Sequence, residues 1–203
     1  DLDLLVLNGD VPDHSGKIEN FDLIYKLCEH ITQGSRPCVF SRGNHDTRGF
    51  YAENIAEYTP TENGHSYFTF RCGKLWGIVF DCGEDKPDDH WVYYGLNDFS
   101  AFREDQADFL KKELKSREFT QASCRILINH IPLWGNDYDY VPCQKLWGPI
   151  LQHAPIDLNL SAHTHDFAYY PQGKIGNPFP VYVGGGYNLD EATYGILKKK
   201  GEK

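Results

Sequence analysis

Five side chains that hold cations well, Asp10, Asn44, His130, His163 and His165, sit in short polar loops, each directly behind an apolar run. Together they offer a carboxylate oxygen, an amide oxygen and imidazole nitrogens. These hard or borderline donors suit zinc, manganese or iron, and the absence of cysteine among them argues against a closed structural zinc site. Such a set points to hydrolysis. A loop carboxylate can bridge two cations about 3.5 to 4 Å apart, and the pair then clamps both sides of an in-line displacement at phosphorus. Plainer readings compete with this one. Asp10 after Gly9 also suits a turn or a helix cap, His163 and His165 suit two packed histidines pointing the same way along an extended chain, and a lone His130 behind a strand suits the core.

The loops need a rigid frame to aim these groups. Leu4 to Leu7, Cys38 to Phe40, Arg125 to Ile128 and Ile156 to Leu160 are short apolar runs without clean alternation, the pattern of strands covered on both faces. Asn20 to Thr32 places Phe21, Ile24, Leu27, Cys28 and Ile31 on one helical stripe, and Glu104 to Ser116 does the same with Ala107, Leu110 and Leu114. Tyr67 to Phe70 and Leu75 to Phe80 read as a hairpin. The tail adds Val181 to Val183, three glycines and a last apolar run, Tyr194 to Leu197. Polar loops gathered at the ends of buried strands are where α/β folds build sites, so one shared mouth is expected.

Composition narrows the function classes. At 203 residues, with 40% apolar and 24% charged, the chain reads as one folded domain over 1–203. No apolar run is long enough to cross a bilayer. The net charge of −9 opposes wrapping of a nucleic-acid backbone, and an anionic phosphate substrate would then need a cation to bring it in. Six cysteines at 28, 38, 72, 82, 124 and 143 show no C-x-x-C pair and read as free thiols.

Asn8-Gly9-Asp10, Gly43-Asn44-His45-Asp46, Asn129-His130 and Ala162-His163-Thr164-His165 stand in the order of the motifs G-D, G-N-H-[DE], H and G-H-x-H, and the sequence thereby resembles the calcineurin-like metallophosphoesterases. The resemblance implies a four-layer αββα sandwich of two mixed sheets flanked by helices. It implies a phosphatase or phosphodiesterase with two divalent or trivalent ions (zinc, manganese, iron or magnesium) and a metal-bound hydroxide as nucleophile. Asp10 then bridges the ions, Asn44, His130 and His163 hold the second, and His165 belongs to the first. His45 acts beside the metals on the leaving oxygen or the phosphoryl charge, with Asp46 orienting it. Two departures stand out: Ala162 replaces the usual glycine, and the opening D-x-H motif is absent, so the expectation is a chain truncated at its N-terminus. An inactive metal-binding or partner-binding domain that keeps the fold is the alternative, and a mononuclear hydrolase of amides or esters ranks below it. Similar bacterial proteins are often exported, which favours the periplasm or cell envelope.

Other residues near these motifs have assignments of their own. Arg48 is a candidate for binding phosphate oxygens through its planar fork, whereas Arg42 reads as a solvated charge. Tyr138, in the aromatic and acidic loop Asp137 to Tyr140, is a candidate border of the substrate pocket. Asp81 to Asp85 reads as a solvated turn.

Overall fold

The computed structural model describes residues 2–186 together with Thr193 and Gly195. Apart from Gly195, the expected apolar run Tyr194 to Leu197 lies outside the described residues. In chain order the elements are β1 (Leu5–Asn8), α1 (Asp22–Thr32), β2 (Cys38–Ser41), α2 (Ile55–Tyr58), β3 (Phe68–Cys72), β4 (Leu75–Phe80), α3 (Phe99–Glu113), α4 (Arg117–Gln121), β5 (Cys124–Asn129), α5 (Pro142–Leu151), β6 (Leu158–Ser161), β7 (Ala168–Tyr170) and β8 (Val181–Val183). Strands β1 and β2 form a parallel pair. The second sheet runs β3-β4-β5-β6-β8-β7, parallel through its centre and antiparallel at both edges.

The strands lack clean alternation because both of their faces are covered. In the small sheet Val6 and Val39 point inward to Val79, Ile126 and Ile128 of the large sheet, while Leu7 and Phe40 point outward to Phe21, Ile24 and Ile55. On the far side of the large sheet Ile78, Phe80, Leu127, Val181 and Val183 meet Leu110, Trp147 and Leu151 of α3 and α5. Successive residues of one strand thus serve two different cores. The layering is helix, sheet, sheet, helix, as the sequence led us to expect.

Two helices depart from the expected bounds for physical reasons. The first begins as a 3-10 turn, Ile18–Phe21, before α1 proper. It buries Phe21 and Ile24 but leaves Ile31, 46% exposed, outside the stripe. Helix α3 starts five residues before Glu104, because the Asp88 carboxylate accepts from the Phe99 and Ser100 amides (3.0 and 2.9 Å) and Asp98 accepts from Ala101 N. A cap supplied from eleven residues away supports orphan amides that local sequence leaves unsatisfied.

Between the sheets runs a stitch of buried amides. Asn159 Nδ2 donates to Asn129 Oδ1 at 2.6 Å, and Asn8 Nδ2 reaches the carbonyls of Asn129 and Leu160 at 3.4 and 3.3 Å. Asn129 and Asn159 are fully buried. The stitch fixes β1 against β5 and β6 where their C-terminal ends open into loops. No helix among the described residues is long and apolar enough to cross a membrane.

Candidate metal centre

The loops after β1, β5 and β6 bring Asp10, His130 and His163 together, with one ligand atom from each lying within 4.8 Å of the others. Asn44, from the loop after β2, is buried, and its Oδ1 stands 3.0 Å from His163 Nδ1. The backbone is held tightly to achieve this. Asp10, His163 and His165 have φ of 53°, 69° and 61°, the left-handed region that non-glycine residues rarely occupy. Turned in this way, His163 and His165 do not share a strand face as extended spacing had suggested. A Cβ on Gly9 would stand 2.5 Å from His130 Nδ1, and one on Gly43 would stand 2.2 Å from Asp10 Oδ1, so both positions need glycine for close approach.

The donor geometry fits a cation. His130 Nδ1 lies 2.7 Å from the Asn8 carbonyl, which accepts from it, so the lone pair sits on Nε2. That Nε2 faces Asp10 Oδ2 at 2.9 Å but is not aligned to hydrogen-bond it. His163 Nε2 is likewise buried without a hydrogen-bond partner. Buried polar atoms are normally satisfied, and two such imidazole nitrogens converging with a carboxylate suit a positive ion.

Charge states agree with this reading. Burial drives His163 down to about 4, helped by the nearby His130, so its imidazole is neutral and free to donate a lone pair. Burial alone would raise Asp10, but contact with His130 and the His45 amide outweighs it and holds the carboxyl below its usual range. For His130, burial opposes the charged form and the Asp10 carboxylate overcomes it, which raises its affinity for a proton. A metal ion would take that proton's place.

The remaining predicted residues fall in various places. His165 follows on the exposed side of the loop, where its carbonyl accepts from Gly186 N at 2.9 Å, and it is not part of the three-residue cluster. Asp46 does not orient His45. Its Oδ2 accepts instead from the amides of Asp10 and Gly43 at 2.9 and 2.8 Å, locking the two ligand loops together, while Oδ1 remains buried and unpartnered. Burial, reinforced by the charge of Asp10 and opposed by the Gly43 amide, raises Asp46 to about 7.

His45 takes its orientation from Asp13, which sequence reasoning missed. Nδ1 of His45 lies 2.8 Å from the Asp13 carbonyl and 3.3 Å from its Oδ1, leaving Nε2 directed elsewhere. The available signal was that Asp13 shares a loop with Asp10, three residues on.

Arg48 departs from its expected role as well. Its fork is bidentate to Glu84 at 2.7 and 2.7 Å, with Asp85 at 3.4 Å, so it holds a carboxylate and not a phosphate. Asp81 and Glu84 are buried, 0% and 3% exposed, and therefore do not form a solvated turn. Arg42, read as a solvated charge, pairs with Asp81 at 2.5 Å. Tyr138 packs its ring edge-on against His163, with centroids 5.5 Å apart, at the border of a cleft between the β4 and β5 loops.

Known proteins share this fold. No curated protein sequence matches the chain. A dimetal phosphatase from Danio rerio superposes with a TM-score of 0.60 at 14% identity, covering 91% of this chain and 73% of that one. A purple acid phosphatase from yellow lupin (Lupinus luteus) seeds gives 0.65 at 16% identity, covering 98% and 39%. GAP50, described as the anchor in the inner membrane complex of Plasmodium, gives 0.59 at 14% identity, covering 91% and 61%. At these identities the likeness establishes the fold alone. The sequence signature of the calcineurin-like phosphoesterases matches residues 1–167, and the chain belongs to that family.

Proposed function

We propose that the chain hydrolyses phosphoesters, monoesters or diesters, with two metal ions held around Asp10. The observation that carries this reading is the convergence of the Asp10 carboxylate with two imidazoles whose Nε2 atoms are buried and have no hydrogen-bond partner. Asp10, Asn44, His130 and His163 would hold one ion, and Asp10 with His165 would contribute to the other. When bound, divalent ions supply Lewis acidity toward phosphoryl oxygens and lower the pKa of water.

The chain's own residues supply orientation and proton handling. With Nδ1 committed to Asp13, His45 has Nε2 left to give a proton to the departing oxygen. The Asp46 carboxylate keeps the Asp10 and Gly43 backbones in register, which fixes where the Asp10 oxygens point. Tyr138 forms a wall for the organic part of the substrate.

The test combines elemental analysis with hydrolysis of para-nitrophenyl phosphate and its bis-ester. Bound metal together with chelator-sensitive turnover supports the reading, and His45→Ala is expected to lower turnover by about 10² while metal content persists. Full activity in that variant would remove His45 from the mechanism.

A second reading, a partner-binding domain that keeps the fold without turnover, is favoured by one observation. Among the described residues only three His, Cys, Asp or Glu side chains meet in one cluster, with Asn44 beside them, fewer than two ions need. The Plasmodium neighbour that shares the fold is described as the anchor in a membrane complex. Metal-loaded protein inert to both esters would favour it.

A further inference from the structure

All six cysteines are free thiols, and among the described residues two pairs of them stand side by side. Cys82 and Cys143 are 2% and 7% exposed, with Cys143 Sγ 4.0 Å from the Cys82 carbonyl oxygen in the core under α5. The other pair is open to solvent: Cys28 is half-buried and Cys38 is exposed.

Helix and strand periods bring Cys28 and Cys38 together. Ile24, Cys28 and Thr32 follow one another at four-residue spacing on one face of α1, and both flanking residues are buried. That face lies on the small sheet, where Ile24 shares a core with Phe40 of β2. Cys38 points the same way as Phe40, because side chains two apart on a strand share a face. Cys28 lies about 6 Å beyond Ile24 along α1, and Cys38 lies about 6.7 Å before Phe40 along β2. A helix that joins two parallel strands runs back against them, so the two displacements coincide. Burial and the neighbouring Cys38 thiol together push Cys28 up to about 11.

We propose that Cys28 and Cys38 are a site of oxidative modification, closed into a disulfide by a low-molecular-weight disulfide such as oxidised glutathione. The exposed Cys38 thiolate attacks one glutathione sulfur, breaks the S–S bond and releases the first glutathione thiolate. The Cys28 thiolate then attacks the Cys38 sulfur, and the second glutathione leaves as its thiolate. The protein gives up two electrons and two protons, and one glutathione disulfide becomes two glutathione thiols. Once Cys38 carries glutathione, it no longer opposes ionisation of Cys28 by its own charge. The bond straps α1 to the start of β2 across the connection 33–37. Closing that loop removes freedom from the unfolded chain and so stabilises the folded one.

The test incubates the reduced full chain with oxidised glutathione at about pH 8, blocks the remaining thiols with N-ethylmaleimide and maps disulfides by mass spectrometry without reduction. The expected result is a peptide pair joined through Cys28 and Cys38, with Cys82 and Cys143 still thiols. Tm should rise by about 5 to 10 °C, and dithiothreitol should reverse the rise. Cys38→Ala should abolish both the link and the rise, whereas Cys28→Ala should leave Cys38 carrying glutathione with no rise. Glutathione retained on Cys38 of the parent beside a free Cys28, or a link found only in the urea-unfolded chain, overturns the proposal. So does oxidation of Cys82 and Cys143 ahead of this pair, or a link that leaves Tm unchanged.

Discussion

The loop after β2 and the loop after β4 are both rich in charge, and the fold treats them in opposite ways. In the first, Asn44 and Asp46 lie at a cluster where buried polar atoms are left without a hydrogen bond: His130 Nε2, which only faces the Asp10 carboxylate, His163 Nε2 and Asp46 Oδ1. In the second, Asp81, Glu84 and Asp85 are each matched by Arg42, Arg48 or Lys86. Burial alone therefore does not mark a ligand site. What separates the two loops is whether the protein satisfies its own donors and acceptors or leaves them for something else. Unpaired buried groups are costly, and a fold keeps several together only where another species completes them.

The comparison breaks most sharply at His163. Changing it to Ala removes one of three converging donors, so metal content and turnover should fall together, with metal affinity down by about 10² or more, measured by metal titration alongside a phosphatase assay. Unchanged stoichiometry would make the unpaired atoms ordinary packing defects.

On the other loop the expected loss is of stability and not of metal. Glu84→Ala strips the partner from the Arg48 fork and should cost roughly 3 kcal/mol, the low end for a buried pair because Arg48 keeps contact with solvent. Urea denaturation would read this as a lower midpoint, whereas metal affinity should stay within about threefold. A metal-binding defect as large as that of the His163 variant would erase the distinction between the loops.

The smallest effect is expected at Asp13. Its carbonyl, not its exposed carboxylate, makes the shorter contact with His45. Asp13→Ala should lower turnover only about three- to tenfold, read in a phosphatase assay, because the backbone carbonyl that holds His45 Nδ1 remains. Turnover equal to the parent's would mean that the carboxylate plays no part in positioning His45.

The ligand types and the strands beneath them were legible in the sequence because both are local properties. An apolar run long enough for one strand, ended by Gly9-Asp10 or Gly43-Asn44, announces a buried strand and a tight polar turn whatever lies elsewhere in the chain. The same local signals gave the hairpin from Tyr67 to Phe80, where β3 and β4 meet through a turn at Gly73 and Lys74. Partner choice among charged groups was not legible. Arg48 lies three residues from His45, yet its guanidinium goes to Glu84, thirty-six positions away. Asp46 adjoins His45 in sequence and turns instead to the amides of Asp10 and Gly43. Hydrogen bonding and ion pairing depend on distances of about 3 Å between atoms, and only the packing of one sheet on the other sets those distances. The sequence by itself determined which side chains were available to bind a cation and which strands would carry them. The tertiary structure decided which donors stay unpaired, because the buried stitch of Asn8, Asn129 and Asn159 fixes where the strand ends meet.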